Sequence, residues 1–129
     1  MSSYVTDPIG DLLTRMRKAQ GARRQKCIAP WSRIKQELCE LLKTEGWLEE
    51  VAVTGEAPKQ TIEVSFVPGK KLELTRISKP GRRVYSGSDE LKPILRGYGS
   101  AILTTSEGLL TDKEARKRKI GGEVLCTIA

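Results

Sequence analysis

The sequence predicts an α+β fold: an N-terminal two-layer helix/sheet lobe packed against a β-rich C-terminal lobe with one short helix. Three observations predict it. Up to Gly46, apolar residues recur at helical spacing in two segments; from Trp47 they alternate with polar ones, as in half-buried strands. The turn signals Ser78-Lys79-Pro80-Gly81 then divide the chain into lobes of residues 1–77 and 78–129. The last quarter holds a short, highly charged helix between a hydroxyl-rich loop and a glycine pair.

The first helix covers residues 7–20. Asp7 suits the N-cap and Pro8 the first helical position, where a missing N–H costs nothing. Ile9, Leu12, Leu13, Met16 and Ala19 form one stripe, with Asp11, Arg15 and Lys18 opposite, and Gly21 is expected to end the helix. Gln25 to Ala29 is extended. Ser32 caps a second helix, on which Ile34, Leu38, Leu41 and Leu42 repeat until Gly46 closes it. Trp47 to Val53 is a strand, and 54–59, with Gly55 and Pro58, a loop. Ile62, Val64 and Phe66 mark a strand over 60–67, and Pro68-Gly69 turns the chain into a strand over 71–77.

The second lobe is expected to have strands at Arg82 to Tyr85, Ala101 to Thr104 and Glu123 to Ile128, with Val124, Cys126 and Ile128 on one face. Thr111 and Glu114 have the spacing of a capping box. The helix they open, Asp112 to Lys119, has Ala115 as its one small apolar residue; so short and charged a helix needs neighbours or a partner. Gly121-Gly122 is read as its left-handed stop.

Composition narrows the function. The chain of 129 residues has no His and three Cys, carries a net charge of +7 and has a pI near 9.5. Residues 68–129 hold thirteen Lys and Arg against seven acids; residues 1–67 hold ten against nine. That asymmetry favours a polyanionic partner for the C-terminal lobe. Cys27, Cys39 and Cys126 form no CxxC pair, so a disulfide framework or a zinc site is not expected, and each reads as a small buried hydrophobe. There is no long apolar run for a membrane span, and residues 1–22 are charged throughout, unlike a signal peptide.

No catalytic set is evident. Ser106 has no His to act as base, and acids show no metal or acid–base spacing. Gly97-Tyr98-Gly99-Ser100 completes no nucleotide-binding pattern and reads as a bend before a strand. Binding candidates are clearer, each with a plainer structural alternative. Arg116-Lys117-Arg118-Lys119 offers phosphate contacts, or simply cations at a helix C-terminus. Arg83 and Tyr85, if on one strand face, place a guanidinium beside a stacking ring; otherwise they are an edge Tyr and a surface Arg. Thr104-Thr105-Ser106 before Gly108 offers hydroxyls to base edges and 2′-OH groups, or forms a capped turn. Aromatics make up only 5% of the chain, so stacking is not the main binding mode.

Several of these segments together resemble a known family. Thr6-Asp7-Pro8-Ile9 with Leu13-Thr14-Arg15, then Pro30, Ser32, Leu42-Lys43 and Glu45-Gly46, then Lys79-Pro80-Gly81-Arg82-Arg83-Val84-Tyr85, follow its order. The longest match runs from Thr105-Ser106-Glu107-Gly108 through Thr111-Asp112 and Glu114-Ala115-Arg116 to Gly121-Gly122-Glu123-Val124-Leu125-Cys126. By these motifs the chain is similar to the bacterial small-subunit ribosomal protein S eight family over nearly its whole length. The resemblance implies a non-enzymatic, cytoplasmic component of the small ribosomal subunit. Such a protein binds the central domain of the small-subunit ribosomal RNA early in assembly, beside neighbouring ribosomal proteins and without a cofactor or small-molecule substrate. It also implies that the C-terminal lobe carries the main RNA contacts, and that members can repress translation of their own operon. Carried over by motif, the RNA-binding positions are Thr105, Ser106 and Gly108 with Thr104 beside them, then Tyr85, Gly122 and Glu123; Arg83, Arg116 and Lys117 join them on charge. Thr104 stands where the family usually has Ser, Leu109-Leu110 replaces a branched residue and Met, and Lys18 replaces Asn; Tyr98 and Ser100 are also unusual for the family.

Two readings from other classes stay open at this point: a protein–protein adaptor with generic polyanion affinity, and a small enzyme with a Cys nucleophile activated by Lys or Arg.

Overall fold

The computed structural model describes residues 7–87 and 99–129; Thr6 and the Gly97-Tyr98 half of the glycine-rich bend fall outside them. Two units cluster along the chain, one of Pro8–Leu72 and one of Glu73–Ala129 together with Asp7.

In the first unit the expected elements form. Helix α1 spans Pro8–Gly21 and buries Ile9, Leu12, Leu13, Met16 and Ala19, the stripe read from spacing. The helix ends at Gly21 as expected, but Gly21 is not its left-handed residue. The chain leaves the helix at Arg23, whose φ of 59° is left-handed, while Arg23 N–H donates to Gln20 O and Arg24 N–H to Ala19 O. That is a Schellman ending with arginine in the usual glycine position, at a cost of roughly 1–2 kcal/mol. Strand β1 (Lys26–Pro30) follows, then α2 (Arg33–Thr44), β2 (Leu48–Thr54) and β3 (Thr61–Phe66). Ser32 caps α2, accepting from Lys35 N–H at 3.3 Å, and Gly46 (φ 85°) closes it with the same Schellman pair of bonds.

The three strands pair antiparallel in the order β1-β3-β2. Cys27 lies opposite Val64 and Ala29 opposite Ile62, so these four share the buried face. Helix α1 packs on β1, α2 packs on β2 and β3, and the two helices touch. Leu38, Cys39 and Leu42 are buried as well, whereas Ile34 and Leu41 of the expected stripe are only half-buried. Lys35 is buried, its Nζ donating to Asp11 Oδ2 at 3.1 Å and Pro30 O at 3.0 Å. At Asp11, partial burial works to raise the pKa, but hydrogen bonds from Lys35 and Arg15 outweigh it and hold the carboxyl below its ordinary range.

The strand expected over 71–77 is short. It forms only at Leu74–Arg76 (β4) and pairs with β8 of the second unit, so the chain passes into that unit at Glu73, ahead of the 78 boundary drawn from turn signals. The second unit continues with β5 (Tyr85–Ser86), β6 (Ser100–Thr105), β7 (Gly108–Thr111), α3 (Asp112–Arg118) and β8 (Gly122–Ile128). The strand expected over Arg82 to Tyr85 shrinks to β5, because Lys79 and Arg82 instead exchange backbone bonds of 3.0 and 2.9 Å around Pro80-Gly81. Its sheet runs β4-β8-β6-β7, with β5 also paired to β8.

The register of β8 carries one irregularity. Ile102 pairs with Cys126, but the next residue, Leu103, pairs with Val124, so Leu125 is an extra, bulged residue. Val124 therefore does not share a face with Cys126, as simple alternation predicts. It joins Ala101, Leu103 and Ala115 in a buried cluster under α3. The bulge is held from outside: Leu125 O accepts from Ile77 N–H at 3.0 Å and Arg76 Nη1 at 2.6 Å, and Arg76 also grips Asp7 at 2.9 and 3.2 Å.

Gly121-Gly122 is not the stop of α3. Lys119 takes the left-handed position (φ 57°), closing the helix through Lys119 N–H to Arg116 O and Ile120 N–H to Ala115 O. The glycines serve close backbone approach instead. A Cβ on Gly121 would lie 2.5 Å from Ser86 O, and one on Gly122 would collide with Thr104 O. Gly122→Ala is expected to destabilise the chain by about 1–3 kcal/mol in urea denaturation. Gly21→Ala, at a helical position with nothing within 4 Å, is expected to stabilise it by about 0.4–1 kcal/mol. Equal effects of the two would refute this assignment.

Candidate nucleic-acid interface

The hairpin β6–β7 is built around a loop of two residues. Thr105 pairs with Gly108, leaving Ser106 and Glu107 at the tip. Gly108 has φ 97°, which fits a turn followed by a glycine bulge. The three hydroxyls then divide. Thr105 Oγ1 donates to Gly108 O at 2.8 Å and accepts from Glu107 N–H at 3.1 Å, so it builds the turn. Ser106 is exposed, and its hydroxyl has no protein partner among the described residues. Thr104 is half-buried at the start of a cross-strand row.

That row runs across four strands. Leu109 lies opposite Thr104, Thr104 opposite Glu123, and Glu123 opposite Tyr85, so all four side chains share one face. Tyr85 is 70% exposed, an unusual state for an aromatic residue without a partner. Arg83 precedes β5 rather than sharing a strand face with Tyr85. It nonetheless reaches the same neighbourhood, because its Nη1 donates to Glu123 Oε2 at 3.0 Å. Gly122 lies under Thr104 and Thr105, its missing side chain allowing the backbones to touch. Thr104, Tyr85, Glu123, Arg83 and Gly122 are thus brought together, with Ser106 at the tip of the adjoining hairpin.

Arg116 and Lys117 are not in that row. Helix α3 packs through Ala115 on the opposite face, against Ala101, Leu103 and Val124. Its first residue, Asp112, is 1% exposed, a feature absent from the sequence reading. Asp112 Oδ1 accepts from Ala101 N–H at 3.3 Å, continuing the β6 ladder where β7 ends, and Oδ2 accepts from Arg116 Nη1 at 3.2 Å. Arg116 is thereby a structural partner. The Thr111 hydroxyl caps α3 by accepting from Glu114 N–H, but the Glu114 carboxylate takes Arg118 Nε at 2.8 Å, so half of the expected box forms. Arg118 also reaches Glu107 at 3.2 Å, tying the helix to the hairpin tip. Of the basic run, Lys117 and Lys119 stay exposed without an ion pair among the described residues.

Sequence reasoning missed three groups. Lys79 and Arg82 flank the Pro80-Gly81 turn (Gly81 φ 81°) and are both exposed. Ser78, fully buried, fastens that turn: its Oγ accepts from Val84 N–H at 2.8 Å and donates to Val84 O at 3.1 Å, while Val84 O also accepts from Val124 N–H. The Lys-Pro-Gly-Arg string was a legible turn signal that reads as a hairpin tip once two cations flank it.

The thiols argue against nucleophilic chemistry. All three are buried. Burial pushes Cys39 and Cys126 up to about 12 and raises Cys27, so the reactive thiolate is disfavoured in each. Among the described residues no His, Cys, Asp or Glu cluster could hold a metal, and no helix is long and apolar enough to cross a membrane.

A basic α+β chain presenting a fixed row of side chains along one end of a sheet face is built to bind rather than to catalyse. Residues 7–129 match the family described as Ribosomal protein S8, and the chain belongs to that family. It is 47% identical over 129 residues to the small ribosomal subunit protein uS8 of Pediococcus pentosaceus, covering 96% of this chain and 98% of that protein. It is 44% identical over 130 residues to the protein of the same name from Caldicellulosiruptor bescii, with 97% and 98% covered. The counterpart in Exiguobacterium sibiricum is 46% identical over 129 residues, with 96% and 98% covered.

Thr105→Ala should lower stability by about 1 kcal/mol, because it removes both turn bonds; a thermal or urea unfolding curve measures this. A variant as stable as the parent would show that Thr105 is not the turn's fastener.

Proposed function

We propose that this chain is a non-enzymatic structural component of the small ribosomal subunit. On this reading it works in the cytoplasm among neighbouring ribosomal proteins. It binds the central domain of the small-subunit ribosomal RNA through the hairpin face of the second unit and helps the subunit assemble. Membership of the family supports the reading at the level of the whole chain. The observation that carries the interface is the division of hydroxyls: Thr105 is consumed by the turn, which leaves Ser106 free at a rigid tip beside the Thr104–Glu123–Tyr85 row.

The chemistry suits RNA. A serine hydroxyl both donates and accepts, matching a ribose 2′-OH or a base edge in a shallow or irregular groove. Tyr85 offers a ring for one splayed base. The Arg83–Glu123 pair keeps a carboxylate in the row from repelling phosphate, since its charge is matched at 3.0 Å. Lys117 and Lys119, with Lys79 and Arg82, supply attraction that is independent of sequence.

The deciding experiment is binding to a central-domain RNA fragment against a scrambled hairpin of equal length, across a salt series. Preference for the cognate fragment that survives high salt is expected; equal, steeply salt-dependent binding to both would favour a basic adaptor. Ser106→Ala should weaken cognate binding without moving the thermal midpoint, and unchanged affinity would remove the hydroxyl from the interface. Replacing Lys117 and Lys119 by Ala should lower the slope of log K against log salt by about 0.7–0.9 for each lost phosphate contact. An unchanged slope would return both lysines to the solvent.

A further inference from the structure

The strongest unassigned feature lies in the first unit. A groove of about 520 Å³ opens where α1 ends, between the segment that leads into β1 and the turn after β3. That volume falls in the range of small-molecule sites. Arg23, Arg24, Lys26, Lys70 and Lys71 line it against the single carboxylate of Glu49, and Phe66, Val67 and Pro68 give it an apolar wall.

Both basic walls are held in place. On one side, Phe66 N–H donates to Gln25 O at 2.9 Å and fixes the segment carrying Arg23 and Arg24 to the sheet. On the other, Lys70 N–H closes the Pro68-Gly69 turn on Val67 O, and Gln20 of α1 clamps the turn. The Gln20 side chain donates to Lys70 O at 3.1 Å and accepts from Leu72 N–H at 3.0 Å. Lys70 is engaged by Gly46 O and the Trp47 ring, and Lys26 by Glu63. Arg23, Arg24 and Lys71 have no ion pair among the described residues. Arg23 is also held left-handed in the place where a helix ordinarily ends on glycine, which is strain at a position lining a cavity.

We propose that this groove binds a nucleoside polyphosphate, with its phosphates on Arg23, Arg24 and Lys71 and its base against Val67 and Pro68. Two guanidiniums and an ammonium lining one groove fit clustered phosphate oxygens, which arginine grips in pairs. The concavity and its apolar wall favour a compact ligand with a flat organic part over a bare phosphate backbone.

The test is calorimetric titration of the full chain with ADP at low ionic strength. ADP is expected to bind, and the Arg24→Ala/Lys71→Ala double variant to bind it at least about tenfold more weakly. That double variant should still bind the central-domain RNA fragment as the parent does, which separates this site from the hairpin face. Arg23→Gly should raise the thermal midpoint by removing the left-handed strain and yet weaken ADP binding, a combination that a purely structural arginine does not give. Absence of ADP binding at about 1 mM would overturn the proposal. So would pyrophosphate binding as tightly as ADP, which leaves the apolar wall without a role. A single-stranded oligoribonucleotide that binds more tightly than ADP and displaces it would assign the groove to RNA instead.

Discussion

The bulge at Leu125 is the constraint on which the second unit depends. Strand β8 pairs with β4, β5 and β6, so its register decides what each face of the sheet presents. One extra residue places Val124 under α3 and leaves Glu123 opposite both Thr104 and Tyr85. Without it, both residues would sit on the wrong face, because a one-residue shift of register turns every following side chain over. The extra residue is stabilised locally: its carbonyl accepts from Arg76, and Arg76 is fixed by Asp7. A largely buried guanidinium is acceptable there because both its charge and its donors are matched.

A second constraint works through absent atoms. Gly121 and Gly122 bring β8 so close to Ser86 and Thr104 that a methyl group has no place. The candidate row is therefore spaced by backbone contact rather than by side-chain packing. Helix α3 has little apolar surface, yet it is seated by the small Ala115 and by the buried carboxylate of Asp112, which takes over a strand hydrogen bond. A short charged helix can persist on such terms when its first residue completes a neighbouring ladder.

What could be read from the sequence follows from how local each signal is. The stripe of α1, the Ser32 cap and the alternation of Ile62, Val64 and Phe66 depend on residues within a few positions of one another, and they appear as expected. The Leu125 bulge, the pairing of β4 with β8 and the burial of Lys35 and Asp112 depend on partners far along the chain, which periodicity cannot report. The glycines show a related limit. A glycine after a helix reads as a left-handed stop, but at Gly21 and Gly121-Gly122 that conformation falls on Arg23 and Lys119. At the candidate interface the residue types were legible, whereas their division of labour was not. Only the hydrogen bonds separate Thr105, which folds the turn, from Ser106, which is left for a partner.

The hairpin tip has one further consequence. With only two residues outside the paired positions, and with Thr105 and Arg118 fastening the loop from either side, this surface has little backbone freedom left to lose when a partner arrives. On the proposed reading, the entropy of ordering falls on the RNA, whose irregular or single-stranded parts are the flexible member of the pair. Association at this face would be that of a rigid template, around which the nucleic acid takes its shape.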